Sequence, residues 1–183
     1  MSVSIRQLGA PDLKALMPQL VSLLLDTVNG GVPLGFLPPV RDEAAERYWA
    51  ALAPDLEQGT RILLVAERDG RLLGTGQLWL TRVPNGRHRA ELQKVLVAGR
   101  ERGRGIGRLL MQALHQATLD AGRSLIILNT RRGLPAVAFY RDLGYQESGV
   151  IPGFTVGPAG ERFDTVVMFK HLDAALSDSR SAS

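Results

Sequence analysis

The segment Arg100–Met111, "RERGRGIGRLLM", sets arginines among three alternating glycines and then turns at once into an apolar run. Glycines at 103, 105 and 107 allow close approach of the backbone to a ligand. A helix that begins among them offers unpaired N–H groups and the positive end of its dipole, and both attract phosphate. Arginines at the rim add charge-assisted hydrogen bonds. The residues exclude two phosphate motifs. A P-loop requires Lys and then Ser or Thr after its last glycine, whereas Arg108-Leu109 follow Gly107. The dinucleotide fingerprint requires glycine or alanine where Arg108 stands, in a unit that opens a parallel sheet. An RNA-binding Arg-Gly arm would not run straight into an amphipathic helix and would carry aromatics for base stacking, so nucleic acid is not an expected partner. A plain charged loop is the alternative.

The charge around this turn is local. Arg87, Arg89, Lys94, Arg100, Arg102, Arg104 and Arg108 stand against only Glu91 and Glu101, although the whole chain is just +4. One anionic ligand at one place fits this better than a uniformly basic surface. The chain has no cysteine, which removes disulfides, thiolate metal sites and cysteine nucleophiles. His88, His115 and His171 lack ligand-like spacing, so no metal is expected. The longest apolar runs, such as "LVSLLLDTV", are too short to cross a bilayer, and no signal pattern opens the sequence. With 183 residues and 45% hydrophobic content, the expectation is one cytoplasmic domain over 1–172 and a polar, disordered tail over 173–183.

The elements that position the turn can be read from periodicity. "VSIRQL" alternates as a first strand, and a helix follows from Pro11 to about Thr27, with Pro18 expected to kink or split it. "GVPLGFLPPV" is an unusually apolar connection that either packs on the core or forms a flap over a site. A second helix is expected over 42–58. Three antiparallel strands, "RILLVAER", "RLLGTGQLWLTRV" and "RAELQKVLV", follow with tight turns at Asp69-Gly70 and Asn85-Gly86. The helix from 105 or 106 to about 121 leads to "SLIILN", a strand expected to be buried on both faces. A helix over 134–143 and a hairpin of "YQESG" with "RFDTVVMFK" across a long loop complete the order β-α-α-β-β-β-α-β-α-β-β. This is an α/β (α+β) fold with a mixed, mostly antiparallel central sheet flanked by helices.

Arg102-Gly103-Arg104-Gly105-Ile106-Gly107 matches the Gln/Arg-x-x-Gly-x-Gly/Ala motif of the GNAT superfamily of acyl-CoA-dependent N-acyltransferases, and "AVAFYRDLGY" resembles its later helix. The order of elements agrees from Val3 to Lys170. Within the superfamily, "PNGRHRAELQKVLV", "LNTRRGLPAVAFY" and "IPGF…PAGERFDTVVMFK" resemble the tabtoxin-resistance acetyltransferases.

The resemblance implies that acetyl-CoA is the co-substrate, with its pyrophosphate over the N–H groups of Arg102, Gly103, Arg104, Gly105, Ile106, Gly107 and Arg108 and its pantetheine along Val95, Leu96 and Val97. It implies that the Val95 N–H stabilises the oxyanion, once a bulge or splay frees it from the ladder. It also implies that Glu91 is the general base, directly or through water, and that Tyr140 protonates the departing thiolate. In an ideal strand Glu91 and Val95 share a face; a solvated carboxylate and a packing tyrosine are the bland alternatives. Asn129 is expected beside cofactor and substrate, where the tabtoxin-resistance enzymes carry an aspartate. Gly133 replaces an asparagine that contacts coenzyme A in many members. Phe36 is expected to touch the acceptor, while Trp49 and Trp79 are expected to pack in the core.

The implied reaction is acetyl transfer to a primary amine of a small molecule, a toxin or antibiotic resembling an amino acid. A protein or peptide acetyltransferase and a catalytically silent acyl-CoA sensor are the alternatives. Superfamily members commonly dimerise, so a homodimer is an expected assembly for which the sequence defines no interface.

Overall fold

The computed structural model describes residues 2–32 and 34–172; the expected disordered tail lies outside them. Seven strands form one sheet, β1 (Ser4–Leu8), β2 (Arg61–Arg68), β3 (Arg71–Leu80), β4 (Arg89–Val97), β5 (Leu125–Arg131), β6 (Gln146–Val156) and β7 (Arg162–His171). Their spatial order is β1-β2-β3-β4-β5-β7-β6. All neighbours run antiparallel except β4 and β5, which are joined by the one βαβ crossover.

Helices cover both faces. On one, α1 (Ala10–Asn29) and α2 (Asp42–Ala50) bury Leu20, Leu24, Ala45 and Trp49 against Leu63, Val65 and Leu96. On the other, α4 (Ile106–Asp120) and α5 (Pro135–Asp142) bury Leu110, Leu114, Val137 and Tyr140 against Leu78, Leu92, Ile126 and Met168. Alternation along the strands divides the two cores. Trp49 is fully buried and its indole donates to the Leu20 carbonyl at 3.0 Å, while Trp79 stands partly exposed on β3.

Several expectations change in the fold. Helix α1 runs through Pro18 unsplit. The carbonyl that loses its helical partner there belongs to Lys14, an exposed residue. The expected single helix over 42–58 breaks instead, with a short α3 (Ala53–Glu57) that carries Pro54 in its first turn. Asp69-Gly70 makes the anticipated tight turn, both residues having positive φ. Asn85-Gly86 does not; it lies in a 3₁₀ turn, Pro84–Gly86, within a longer connection. Strand β5 buries Ile126 and Leu128 but Leu125 and Ile127 only in part, so it is not buried on both faces as expected. Strand β6 extends through most of the segment expected to be loop and forms an exposed edge.

Candidate active site

The site is built where β4 stops behaving as a regular strand. Gln93 pairs with Gln77 and Leu96 with Thr75, so Lys94 and Val95 together oppose Gly76. Lys94 takes up this extra residue at φ +50°, in the left-handed region. The bulge reverses the alternation. Ala90 and Leu92 face α4, as do Val95 and Val97 after the bulge, whereas Leu96 joins the core under α1. Glu91 and Val95 therefore lie on opposite faces, not on the shared face that an ideal strand would give.

On its other side β4 pairs with β5 only over Arg89–Glu91 and Leu125–Ile127. Beyond these residues the strands part, and Val95 has no partner in either neighbour. The opening is a cleft of about 680 Å³ that gathers Phe36, Glu91, Lys94, Val95, Asn129 and Tyr140. Five of these were expected from the sequence, and they come from a loop, two strands and a helix. Phe36 packs against the Tyr48 ring edge-on at 5.4 Å, so the apolar 30–40 segment both joins the core and walls the cleft. The Asn29 side chain ties that segment back by accepting from the Val40 N–H at 3.0 Å.

The Glu91 carboxylate accepts a hydrogen bond from the Gln93 amide at 3.0 Å. The Gln93 oxygen accepts from Arg61 at 3.0 Å, and the same guanidinium donates to Gln77 at 3.0 Å and to Asp55 at 3.1 Å. Gln77, fully buried, in turn donates to the Tyr48 hydroxyl at 3.0 Å. The sequence reading missed this network. The available signal was Gln77, a polar residue inside the apolar run "LLGTGQLWL", because such a group is buried only when partners satisfy it.

Tyr140 enters from α5 on the opposite face of the sheet and is nearly fully buried, its ring edge-on to Tyr145 at 5.6 Å. Burial pushes its phenol above the usual tyrosine range, so it remains a proton donor at neutral pH. Asn129, exposed to the cleft, pairs across the sheet with Val167.

The glycine turn lies beyond the cleft, where β4 ends. Gly103 and Gly105 have φ of +74° and +82°, conformations that glycine adopts freely. Gly107 is different: it lies within the helix, and a Cβ there would sit 3.3 Å from the Phe139 ring, so it serves helix packing. No side chain caps α4 and its first turn holds no acid, leaving the N–H groups available to an anion. The arginines are partly engaged. Arg102 donates to the Val97 carbonyl at 3.2 Å, and Glu101 pairs with Arg68 at 3.2 Å and Arg104 at 3.6 Å. Of the strand segment expected along the cofactor, Val97 packs beside Gly107, and the Leu96 side chain is buried away from the cleft, so only its main chain can serve. Gly133 has φ +83°, where asparagine is the commonest substitute for glycine.

Residues 32–145 match the Acetyltransferase (GNAT) family. The chain belongs to the GNAT acetyltransferase family. This acetyltransferase is 27% identical to the L-methionine sulfoximine/L-methionine sulfone acetyltransferase of Pseudomonas aeruginosa, over 100% of its own length and 99% of that protein's. Its fold resembles the ribosomal-protein-alanine N-acetyltransferase of Brucella melitensis with TM-score 0.77 and 27% identity, covering 92% of this chain and 99% of that one. An acetyltransferase from Salmonella typhimurium, solved with its cofactor acetyl-CoA, has the same fold at TM-score 0.73 and 19% identity, covering 94% and 95% of the two chains. Acetyl-CoA is the acyl donor on which the family depends, and the uncapped α4 terminus behind two left-handed glycines suits its pyrophosphate. No helix among the described residues is long and apolar enough to cross a membrane.

Proposed function

We propose that this acetyltransferase moves the acetyl group of acetyl-CoA to the primary amine of a small, amino-acid-like molecule, a toxin or antibiotic, by direct attack and without a covalent enzyme intermediate. The observation that carries the reading is the convergence of Glu91, Val95 and Tyr140 on one cleft from both faces of the sheet. Main-chain N–H groups of 102–108 hold the pyrophosphate, and the backbone of 95–97 aligns the pantetheine. Asn129 contacts cofactor and acceptor, and Phe36 contacts the acceptor.

An alkyl ammonium cannot attack, so Glu91, directly or through water, takes its proton. The amine nitrogen then bonds to the acetyl carbon and the carbon–sulfur bond breaks. The Val95 N–H, free of the ladder, donates to the carbonyl oxygen as it becomes negative. Tyr140 gives its proton to the departing thiolate, and the phenolate so formed is reprotonated by the second proton that the nitrogen loses as the amide forms. Asn129 cannot accept a proton as a carboxylate does, which leaves Glu91 as the base. The full-length likeness to an enzyme acting on methionine sulfoximine and methionine sulfone supports a small acceptor.

The test is thiol release from acetyl-CoA across amino acids, β-lactam amino acids, simple amines and an N-terminal alanyl peptide. Turnover with small amines is expected. Turnover confined to the peptide would assign a protein substrate instead, and tight acetyl-CoA binding without turnover would assign a sensor.

A further inference from the structure

Lys94 is the one lysine of the cleft wall, and the bulge holds its backbone at φ +50°. Its ammonium lies 5.7 Å from the centroid of Phe36 and 5.4 Å from that of Tyr48, with the Gly35 backbone of the overlying loop against it. Two π faces position a cation but do not neutralise it. Among the described residues Lys94 forms no ion pair, whereas Arg61, Arg68 and Arg104 each have a carboxylate. Burial and the Arg61 charge both act against the ammonium and lower its proton affinity, only partly offset by Glu91. A half-buried cation without an anion is costly, and a ligand can supply the missing partner.

The chemistry of the surroundings identifies that ligand. Glu91, three residues earlier in the strand, faces the same half of the cleft but does not pair with Lys94. A base for an amine and a cation without an ion pair, lining one cleft close enough for their charges to interact, complement a molecule whose ammonium and carboxylate share one carbon. We propose that Lys94 is the specificity-determining residue for the acceptor: it receives the carboxylate of a zwitterionic α-amino acid whose amine faces Glu91. The coenzyme phosphates are a poorer match, because their site at the start of α4 lies behind the opposite face of the sheet. Arg131 also borders the cleft, but its guanidinium lies over the Phe163 ring on the far strand.

This assignment rests on the proposed transfer reaction, and one kinetic series separates the two. Each amino acid that supports thiol release is compared with its carboxamide, in the wild type and in Lys94→Met, Lys94→Arg and Arg131→Met. The wild type is expected to prefer the free acid in kcat/KM by roughly tenfold or more, expressed mainly in KM. Lys94→Met should abolish that ratio, Lys94→Arg should restore much of it, and Arg131→Met should retain it. Because the readout is a ratio within one variant, loss of folded protein does not mimic the result. If amines turn over but the carboxylate makes no difference, or the ratio survives in Lys94→Met, the Lys94 assignment is overturned and transfer stands. A rise in KM for acetyl-CoA instead would place Lys94 on the coenzyme and overturn it too. If no amine releases thiol, the transfer reading falls and takes the assignment with it.

Discussion

The two sides of the cleft solve different problems with different materials. On the side proposed for the coenzyme the groups on offer are backbone amides, and what the sequence must supply is glycine at positive φ, an uncapped helix start and a gap between two strands. On the acceptor side the working groups are side chains held by other side chains. Glu91 leans on Gln93, Gln93 on Arg61, and Arg61 on Asp55, a chain that joins two strands and a helix. The first side depends on backbone conformation, the second on the identity of its side chains as well. A single feature, the bulge at Lys94-Val95, serves both, since it frees an amide for one and turns a lysine toward the other.

The sharpest break in this contrast is Glu91→Gln. It preserves the hydrogen-bonding shape but removes the proposed base, and thiol release at neutral pH should fall by about a hundredfold or more, with acetyl-CoA affinity retained in a binding titration. Tyr140→Phe should lower kcat by roughly tenfold or more, since only the proton donor is lost. Wild-type kcat after that change would return Tyr140 to a packing role. On the coenzyme side, Gly105→Ala forces an L-residue to φ +82° at about 1–2 kcal/mol. This should raise KM for acetyl-CoA roughly five- to thirtyfold while kcat at saturation holds, which is the opposite signature. Gln93→Leu tests the support chain and should cut kcat by about threefold to tenfold, as Glu91 loses its anchor.

The smallest effect belongs to neither side. His115, on α4, hydrogen-bonds the Tyr145 hydroxyl at 3.0 Å, and burial, helped by Lys170, lowers its pKa to about 4. The unfolded chain binds that proton near pH 6.5. Stability is therefore lost as the pH falls from about 6.5 toward 4, because the unfolded state takes up the proton first. Thermal melts of wild type and His115→Gln should converge as the pH falls through that window; a constant difference between them would remove His115 as the cause.

The coenzyme side was legible in the sequence because its information is local. Strand, glycines and helix follow one another within 89–120, and each residue type acts on its own backbone. Even there, Gly107 looked like its neighbours, and only the Phe139 ring packed against it separates its role from theirs. The acceptor side was half legible. Glu91 and Phe36 could be named, but Arg61, Gln77 and Tyr48 could not be joined to them, since segments from 48 to 93 meet only when the meander pairs. The face of Glu91 relative to Val95 was open for a related reason: an ideal strand puts the two together and a bulge separates them, and the bulge is what forms. Strand parity is a local rule, and a bulge that breaks it depends on how the neighbouring strand is matched.

By itself, the sequence determined most of the order of elements, the parallel crossover and the glycine turn that opens α4, because hydrophobic period, turn chemistry and glycine conformations are properties of short stretches. Only the tertiary structure decided where β4 and β5 part, that Lys94 stands beside two aromatic rings with no ion pair among the described residues, and that Tyr140 reaches the cleft from the face opposite Glu91. These depend on pairing and packing between residues far apart in the chain, where a difference of one residue in register reverses what each side chain meets.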